Sequence, residues 1–295
     1  MATVRPFRRS DRDQLAQLVN AHAQAVVPGM AISVNAVLSQ LEREPGEFIV
    51  EPWVVDRVTL VAEDRGRITA AAHLVRYGAD ERVGAALRDV GEVRWLRHWP
   101  EAPFWPDSAV SGRAVGEAAL ATLYRWGVRS VHADGALPAP GIYGVPEQWP
   151  HVRTLLERLG FVCGGRREIV YLAEVSDLPV PAYAVERTLG VCGTRFTARS
   201  DGELLGFVEV DTAVAGLGRV AGTWADIGNL EVTEGHRRRG VARGLLGHAG
   251  HWLHLARTDR LLAYASPNET ALQALLESSG FARLTETARE WTLAR

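Results

Sequence analysis

The alternation of apolar and polar positions predicts strands and helices that follow one another along the whole chain. Alternating patterns and short apolar runs predict strands, and apolar residues three and four apart, such as Leu15, Leu18 and Val19, predict helices. Predicted strands cover Val4–Phe7, Val58–Ala62, Ile68–Val75, Val90–His98, Ser130–Ala133, Glu168–Glu174, Arg195–Ala198, Gly206–Val210, Trp224–Val232, Leu261–Ala265 and Ala288–Leu293. The first predicted helix begins near Ser10, and the others cover Val34–Glu44, Val115–Trp126, His151–Leu159, Val241–Ala256 and Thr270–Ser279. This alternation indicates an α/β (α+β) fold.

A turn-rich segment, Ser176–Pro181, divides the chain into two halves. Its two prolines and its aspartate follow a predicted strand and are typical of a linker. The same order of elements appears on both sides, which indicates a divergent duplication. We therefore expect domains at residues 1–176 and 186–295, with a linker at 177–185. The second domain has too few residues before its first hairpin for counterparts of the two early helices.

The composition excludes several classes of protein. The 295 residues include 33 basic and 35 acidic side chains and no lysine, so the formal net charge is −2. A generic nucleic-acid binder would carry a basic excess. Two cysteines, Cys163 and Cys192, are too few for a disulfide framework or a zinc site and fit a reducing cytoplasm. The apolar runs are too short to span a membrane, and the first residues lack the apolar core of a signal peptide. We therefore expect a cytoplasmic protein with no metal, no nucleic-acid partner and no membrane partner.

One segment carries a pattern that suits a phosphate-bearing ligand. A predicted strand ends at Val232, a polar loop with three consecutive arginines follows, and a helix begins near Gly240. Backbone N–H groups at a helix start have no intrahelical partner and lie at the positive end of the helix dipole. The small residues Gly240 and Ala242 let a pyrophosphate approach the backbone, whereas a large side chain at Gly240 would fill its place.

This segment resembles the acyl-CoA signature of the GNAT superfamily of N-acetyltransferases. The family pattern Gln/Arg-x-x-Gly-x-Gly/Ala is present as Arg237–Ala242, after the strand end Leu230–Val232. Downstream, Asn268–Ala271 and Gly280–Phe281 are similar to the family's Asn-x-x-Ala and Gly-Phe segment, at a spacing one residue longer than the commonest form. The resemblance implies two GNAT-like domains, each with a central mixed, mostly antiparallel sheet flanked by helices.

The resemblance also implies acetyl-CoA as a cosubstrate, bound between two splayed strands. The backbone of Leu230 and Val232 would bind its pantetheine amides, and Asn268 would reach its pantetheine or adenosine arm. The pyrophosphate would be held by the loop and the helix start, which comprise Arg237, Arg238, Arg239, Gly240, Val241 and Ala242. The family's chemistry is direct transfer, in which an amine loses a proton and attacks the thioester carbonyl, and the thiolate leaves.

Such a transfer needs a base for the ammonium donor and ideally an acid for the thiolate. Asp226 precedes the loop on the strand phase of the predicted pantetheine-binding residues, and it is our first candidate for the base. Glu231 points to the other face and is the second candidate. The tyrosine that serves as acid in many relatives falls at Leu276 here. Tyr264, on the following strand, is the candidate substitute.

The first half of the chain looks like a degenerate copy of the same domain. Its opening strand with Ser10 and Asp11 and its segment Leu155–Phe161 are typical of the family. Where a phosphate loop should follow Trp95–Glu101, the chain reads Ala102–Asp107 and contains two prolines, which remove backbone donors. We therefore expect the first domain not to hold a CoA pyrophosphate.

Blander interpretations of two patterns stay open beside these predictions. The run Arg237–Arg239 alone is more often a solvated face or a nucleic-acid contact, and only the flanking pattern favours a phosphate loop. His248, His251 and His254 recur at intervals of three on one predicted helix. Neither an acidic residue nor a cysteine lies beside them, so a solvated or packed face is favoured over a metal site.

Three functions are ranked by the sequence. The first is an enzyme that transfers an acetyl or short acyl group from acetyl-CoA to a primary amine. The second is a non-catalytic module that binds or senses acyl-CoA, and the third is an interaction scaffold. The sequence specifies neither the acceptor amine nor the acyl chain, and it leaves a homodimer open.

Overall fold

The computed structural model describes residues 2–42, 53–81, 83–100, 105, 107–133, 137, 143–212 and 223–293. The chain forms two compact units. Residues 1–138, 142–166 and 287–295 belong to the first unit, and residues 139–141 and 167–286 belong to the second. Most of the loop Ala102–Asp107 that was expected to lack a phosphate-binding pattern lies outside the described residues.

The described residues form six α-helices and fifteen strands. In chain order to residue 163 these are β1 (Thr3–Pro6), α1 (Arg12–Val26), α2 (Val34–Leu41), β2 (Val54–Asp64), β3 (Arg67–Tyr77), β4 (Val90–His98), α3 (Ser108–Arg125), β5 (Ser130–His132), β6 (Val145–Pro146), α4 (Pro150–Arg158) and β7 (Phe161–Cys163). They continue with β8 (Arg167–Glu174), β9 (Val185–Gly190), β10 (Gly193–Ser200), β11 (Glu203–Asp211), β12 (Trp224–Val232), α5 (Val241–Leu255), β13 (Arg260–Ala265), α6 (Thr270–Ser278), β14 (Ala282–Ala288) and β15 (Trp291–Leu293).

The first unit is built on a sheet with the strand order β1-β2-β3-β4-β5-β15-β7. Only β4 and β5 pair in parallel among the registers that the described residues define; the others are antiparallel. The central strand β3 is buried from Ile68 to Val75, because its apolar side chains face helices on both sides of the sheet. Helix α3 lies against β2, β3 and β4, and α1 contacts β3.

The second sheet, on which the second unit is built, has the strand order β6-β14-β8-β13-β12-β11-β10-β9. β12 and β13 pair in parallel, whereas β8–β13, β11–β12, β10–β11 and β9–β10 are antiparallel. Helix α5 packs on β10, β11 and β12. Its buried leucines, Leu245, Leu246 and Leu253, belong to the core cluster of this unit. The predicted fold class, two mixed and mostly antiparallel sheets flanked by helices, is confirmed.

Each unit takes a strand from the half of the chain that was assigned to the other. β8 lies inside the second sheet, where Arg260 of β13 pairs with Glu174. β15 lies inside the first sheet, where Trp291 pairs with Cys163 and Thr292 pairs with His132. The compact units therefore differ from the contiguous domains expected at residues 1–176 and 186–295.

Most predicted elements are present, and the exceptions have local causes. The single strand expected at Ala288–Leu293 is wrong, because Glu290 adopts a left-handed conformation (φ 60°) and separates β14 from β15. β9 was not predicted, since its sequence is exposed at most positions and lacks alternation. As expected, the described chain between Asp177 and Val185 holds no counterpart of the early helices. None of the helices among the described residues is long and apolar enough to cross a membrane.

Candidate functional site

A cleft begins in the second unit where β12 and β13 separate. The two strands pair in parallel at three positions, and the last pair is Asp226 with Leu262. Beyond that pair, β12 continues to pair with β11 as far as Val232, which lies opposite Gly206. The edge of β12 that faces β13 therefore has backbone groups without a ladder partner on that side.

A β-bulge changes the direction of the side chains just beyond this point. Glu209 of β11 pairs with Asn229, and the next residue, Val210, pairs with Ile227, so Gly228 is the extra residue on β12. Ile227 consequently packs on the same core cluster as Leu230 and Val232. The expectation that Asp226 shares a strand phase with Leu230 and Val232 is wrong, because the bulge shifts the phase.

The bulge requires glycine at this position. A Cβ on Gly228 would lie 2.3 Å from the Cβ of Cys192, which belongs to the turn between β9 and β10. No side chain tolerates such an approach, so the turn and the bulge fit only around a glycine. Burial and the neighbouring carboxylates, Glu209 first among them, raise the pKa of the Cys192 thiol.

Asp226 stands at the start of the cleft with a perturbed carboxyl group. Tyr264 of β13 donates its hydroxyl hydrogen to Asp226 Oδ2 across 3.5 Å, and Asp211 lies opposite Asp226 on β11. Burial raises the pKa of Asp226 to about 6, the charge of Asp211 adds to that rise, and the Tyr264 hydrogen bond opposes it. The structure thus brings together two of the three predicted catalytic residues.

Glu231, the second candidate base, is placed elsewhere. It pairs opposite Phe207 on β11 and is exposed, farther along β12 than the bulge. Its exposed position fits an ordinary surface strand residue. Between the two candidates, Asp226 alone has the burial and the neighbours of a functional carboxylate.

A buried carboxylate that the sequence reading missed lies beside the bulge. Glu209 is fully buried and accepts hydrogen bonds from Asn229 Nδ2 at 3.4 Å and from the N–H groups of Val191 and Cys192 at 3.3 Å each. Arg195 Nε lies 2.8 Å from Glu209 Oε1, although not at a hydrogen-bonding angle. Burial raises the pKa of Glu209, but these partners outweigh it and hold the pKa below its ordinary value. The signal in the sequence is an acidic residue inside an otherwise apolar strand.

The predicted phosphate loop connects β12 to α5. A short 3₁₀ helix, Glu234–His236, is followed by Arg238 with φ 62° and Gly240 with φ 82°, both in the left-handed region. Arg237 Nε donates to the carbonyl oxygen of Val232 at 3.1 Å, which ties the loop to the end of β12. Gly240 is the N-cap of α5, and its conformation explains why glycine suits this position.

The backbone donors of this loop are available to a ligand. Within the described chain, no hydrogen bond is made by the N–H groups of Arg238, Arg239, Gly240, Val241 and Ala242. They stand at the N-terminus of a 15-residue helix, where the helix dipole favours an anion. The side chains of Arg238 and Arg239 are exposed. The loop therefore has the donors and the charge of an anion site.

Comparisons with known proteins bear directly on this geometry. Residues 169–281 match the family described as the acetyltransferase (GNAT) family. The match covers 113 of the 295 residues. No curated protein matches the sequence.

Solved structures extend the likeness to the whole chain. A tandem GNAT protein from the clavulanic acid biosynthesis pathway, solved without AcCoA, has a TM-score of 0.63 and 15% identity, with 99% of this chain and 98% of that chain covered. A GCN5-related N-acetyltransferase from Sphaerobacter thermophilus has a TM-score of 0.62 and 13% identity, covering 99% and 94%. A GNAT acetyltransferase from Colwellia psychrerythraea has a TM-score of 0.53 and 11% identity, covering 99% and 100%. The chain therefore has a tandem GNAT fold.

Two further predicted features of the GNAT domain have plain structural settings. Asn268 is exposed in the turn between β13 and α6, and its N–H donates to Ser266 Oγ at 3.4 Å. His248 contacts the backbone of residues 182 and 183. The described residues contain no cluster that could hold a metal ion. On α5, His248 is half-buried, whereas His251 and His254 are exposed.

The first unit repeats the strand geometry of the GNAT domain. Its parallel register ends at Glu92, opposite His132, and Arg94 is the extra residue in the pairing of β3 with β4. Glu92 therefore corresponds to Asp226, and Arg94 corresponds to Gly228. Like Asp226, Glu92 accepts a hydrogen bond from a tyrosine, Tyr77, but it also forms an ion pair with Arg94 Nε at 3.2 Å.

The cleft of the first unit is filled by its own side chains. Trp149 is fully buried, and the guanidinium of Arg97 stacks on its ring at 4.1 Å. A cavity of about 10 Å³ remains between Val93–Arg97 of β4 and the α4 residues Val152 and Leu156. Such a volume holds about one water molecule. This filling agrees with the expectation that the first half is a degenerate copy.

Proposed function

We propose that the second unit transfers an acetyl or another short acyl group from acetyl-CoA to a primary amine. The observation that carries this proposal is the half-buried Asp226, whose pKa is raised to about 6, at the point where β12 and β13 separate. A base with a pKa near the working pH is suited to take a proton from an ammonium group. The phosphate loop follows at the other end of the same strand.

The residues of the loop fit the pyrophosphate of the donor. Five consecutive N–H groups, from Arg238 to Ala242, lack a partner in the described chain, and Gly240 leaves space where a side chain would stand. Arg238 and Arg239 add positive charge from exposed positions. The unpaired edge of β12 at Leu230 and Val232 would hydrogen-bond the pantetheine amides, and the exposed Asn268 would reach the same arm or the adenosine.

The proposed reaction needs two protein groups. Asp226 takes one proton from the ammonium, and the amine nitrogen attacks the thioester carbonyl carbon. The carbon–sulfur bond then breaks, and the acylated nitrogen releases its second proton to solvent. Tyr264 then gives its hydroxyl proton to the leaving sulfur. Because Tyr264 hydrogen-bonds Asp226, the proton on Asp226 can return to the phenolate, and both groups regain their starting states. We retain Glu231 as the second candidate for the base.

The first test is a calorimetric titration of the whole protein with acetyl-CoA. We expect one site per chain, because side chains fill the cleft of the first unit. The variant Gly240→Glu should abolish binding, since it places an anionic side chain in the phosphate site. Gly84→Glu is the matched control, because Gly84 has open space around it. Two sites, or unchanged binding by Gly240→Glu, would contradict the assignment.

Turnover with a panel of primary amines separates the enzyme from a non-catalytic acyl-CoA-binding module. Asp226→Asn should bind acetyl-CoA normally and lose at least about 100-fold in rate, the usual effect of removing a general base. Asp13→Asn, on an exposed helix position, is the control. No release of CoA by the wild type with any amine would favour the binding module. A loss of rate in Glu231→Gln instead would transfer the role of base to that residue.

The cytoplasmic location and the homodimer stay predictions.

A further inference from the structure

The segment Leu178–Tyr183, called the strap here, runs along helix α5 in close contact. The face of α5 that it covers is formed by Gly244, Gly247 and Gly250. A Cβ on any of these three glycines would lie 2.6–2.9 Å from a strap atom. The strap is therefore seated on α5, although the sequence predicted it to be a linker.

His248 holds the strap on the helix. Its Nε2 lies 2.9 Å from the carbonyl oxygen of Tyr183 and 3.1 Å from that of Ala182. Carbonyl oxygens only accept hydrogen bonds, so Nε2 carries the hydrogen and donates it. His248 thereby fixes the backbone on which the side chain of Tyr183 stands.

Tyr183 extends from the strap to the phosphate loop. Its backbone is in the left-handed region (φ 71°), and its hydroxyl donates to the carbonyl oxygen of Arg239 at 2.6 Å. The described chain contains no cis peptide bond, so the carbonyl of Arg239 and the N–H of Gly240 point in opposite directions across one planar unit. By holding that carbonyl, Tyr183 sets the direction of the Gly240 N–H.

We propose that Tyr183 is a positioning residue for the anion site at the start of α5. The inference rests on the proposed function, because the anion is taken to be the pyrophosphate of acetyl-CoA. The hydroxyl of Tyr183 fixes the peptide between Arg239 and Gly240 before the ligand arrives. Because the loop is already ordered, less conformational free energy is lost when acetyl-CoA binds. The strap thereby acts as part of the phosphate site.

The test compares Tyr183→Phe with Tyr124→Phe, which changes an exposed tyrosine on α3. The dissociation constant for acetyl-CoA should rise about five-fold in Tyr183→Phe, which is the worth of one hydrogen bond or about 1 kcal/mol. The kcat/KM for acetyl-pantetheine, which lacks the pyrophosphate, should stay unchanged. His248→Ala should weaken acetyl-CoA binding in the same direction, and His251→Ala should not. This second pair serves if Tyr183→Phe does not fold.

The other outcomes overturn either the positioning role of Tyr183 alone or the proposed function as well. If Tyr183→Phe and His248→Ala bind acetyl-CoA as the wild type does, the positioning role fails and the proposed function stands. If Tyr183→Phe lowers kcat/KM equally for acetyl-CoA and for acetyl-pantetheine, Tyr183 supports the fold in general and the positioning role fails. If the wild type binds no acetyl-CoA, the proposed function fails and the positioning role fails with it.

Discussion

At the scale of single residues, neighbouring carboxylates on β11 and β12 have pKa values shifted in opposite directions. Glu209 is fully buried, yet its hydrogen bonds and Arg195 hold its pKa below the ordinary value. Asp226 is only half-buried, but burial and the charge of Asp211 raise its pKa to about 6. The difference lies in the number of donors, since Glu209 accepts three hydrogen bonds and Asp226 accepts a long one from Tyr264.

The raised pKa makes a prediction about stability. A carboxyl group whose pKa rises on folding stabilises the folded state below its unfolded value of about 4, and this contribution is lost as the pH rises through about 6. Asp226→Asn should therefore raise the free energy of unfolding by about 1–2 kcal/mol at pH 7, a figure reduced because water screens the half-buried group. At pH 4 the variant and the wild type should be equally stable. Urea unfolding at both pH values measures this, and a variant that is less stable at pH 7 would contradict it.

At the scale of elements, the sequence predicted most strands and helices but not their partners. The motif Arg237–Ala242 was found because its glycine and arginines are consecutive, and the loop lies where the pattern placed it. The bulge at Gly228 was missed, since a bulge is defined by pairing with a strand that is distant in sequence. The seat of the strap was missed for the same reason. The glycines of α5 become informative only once the strap is seen against them.

The positions of β8 and β15 follow the same logic. Both were read as single strands closing a half of the chain, whereas each lies inside the sheet of the other unit. The alternation of a short strand specifies which side chains are buried, but not which neighbouring strand it joins. Glu290, whose left-handed backbone separates β14 from β15, carries no such signal in its residue type.

A substitution in β15 should show that this strand belongs to the first unit. Trp291 is 1% exposed, and its Nε1 donates to the carbonyl oxygen of Ala288 at 3.0 Å. Trp291→Ala should lower the free energy of unfolding by about 3–5 kcal/mol, because the buried indole ring is lost. Hydrogen exchange should accelerate in peptides of β5 and β7, which pair with β15. Trp53→Ala, at a position 43% exposed, is the control. Faster exchange confined to β12 and β13 would contradict the assignment.

At the scale of the whole molecule, the first unit contains two buried histidines, His22 and His73, and the half-buried His151, all with lowered pKa values. His22 Nδ1 donates to the carbonyl oxygen of Leu18 at 2.8 Å, so its Nε2 is an acceptor for His151 Nε2 at 3.0 Å. Burial lowers the pKa of His22 well below its ordinary value, and the charge of Arg97 adds to the effect. Burial also lowers the pKa of His151 to about 4 and that of His73 to about 3.

These histidines predict that acid unfolds the first unit. A histidine with a lowered pKa contributes fully to stability above its unfolded value of about 6.5, and the contribution is lost as the pH falls toward the folded pKa. Below pH 6.5, each of the three histidines should lower the free energy of unfolding by up to about 1.4 kcal/mol per pH unit. They are His22, His73 and His151. Hydrogen exchange between pH 7 and pH 4 should therefore show peptides of α1, β3 and α4, which carry these histidines, losing protection. In His73→Asn, the free energy of unfolding should fall less steeply with decreasing pH, by the equivalent of about one proton. His254→Asn, on the exposed part of α5, should leave this pH dependence unchanged. Equal protection of α1, β3 and α4 at both pH values would contradict this prediction, because it would mean that the histidines take up protons in the folded protein as readily as in the unfolded chain.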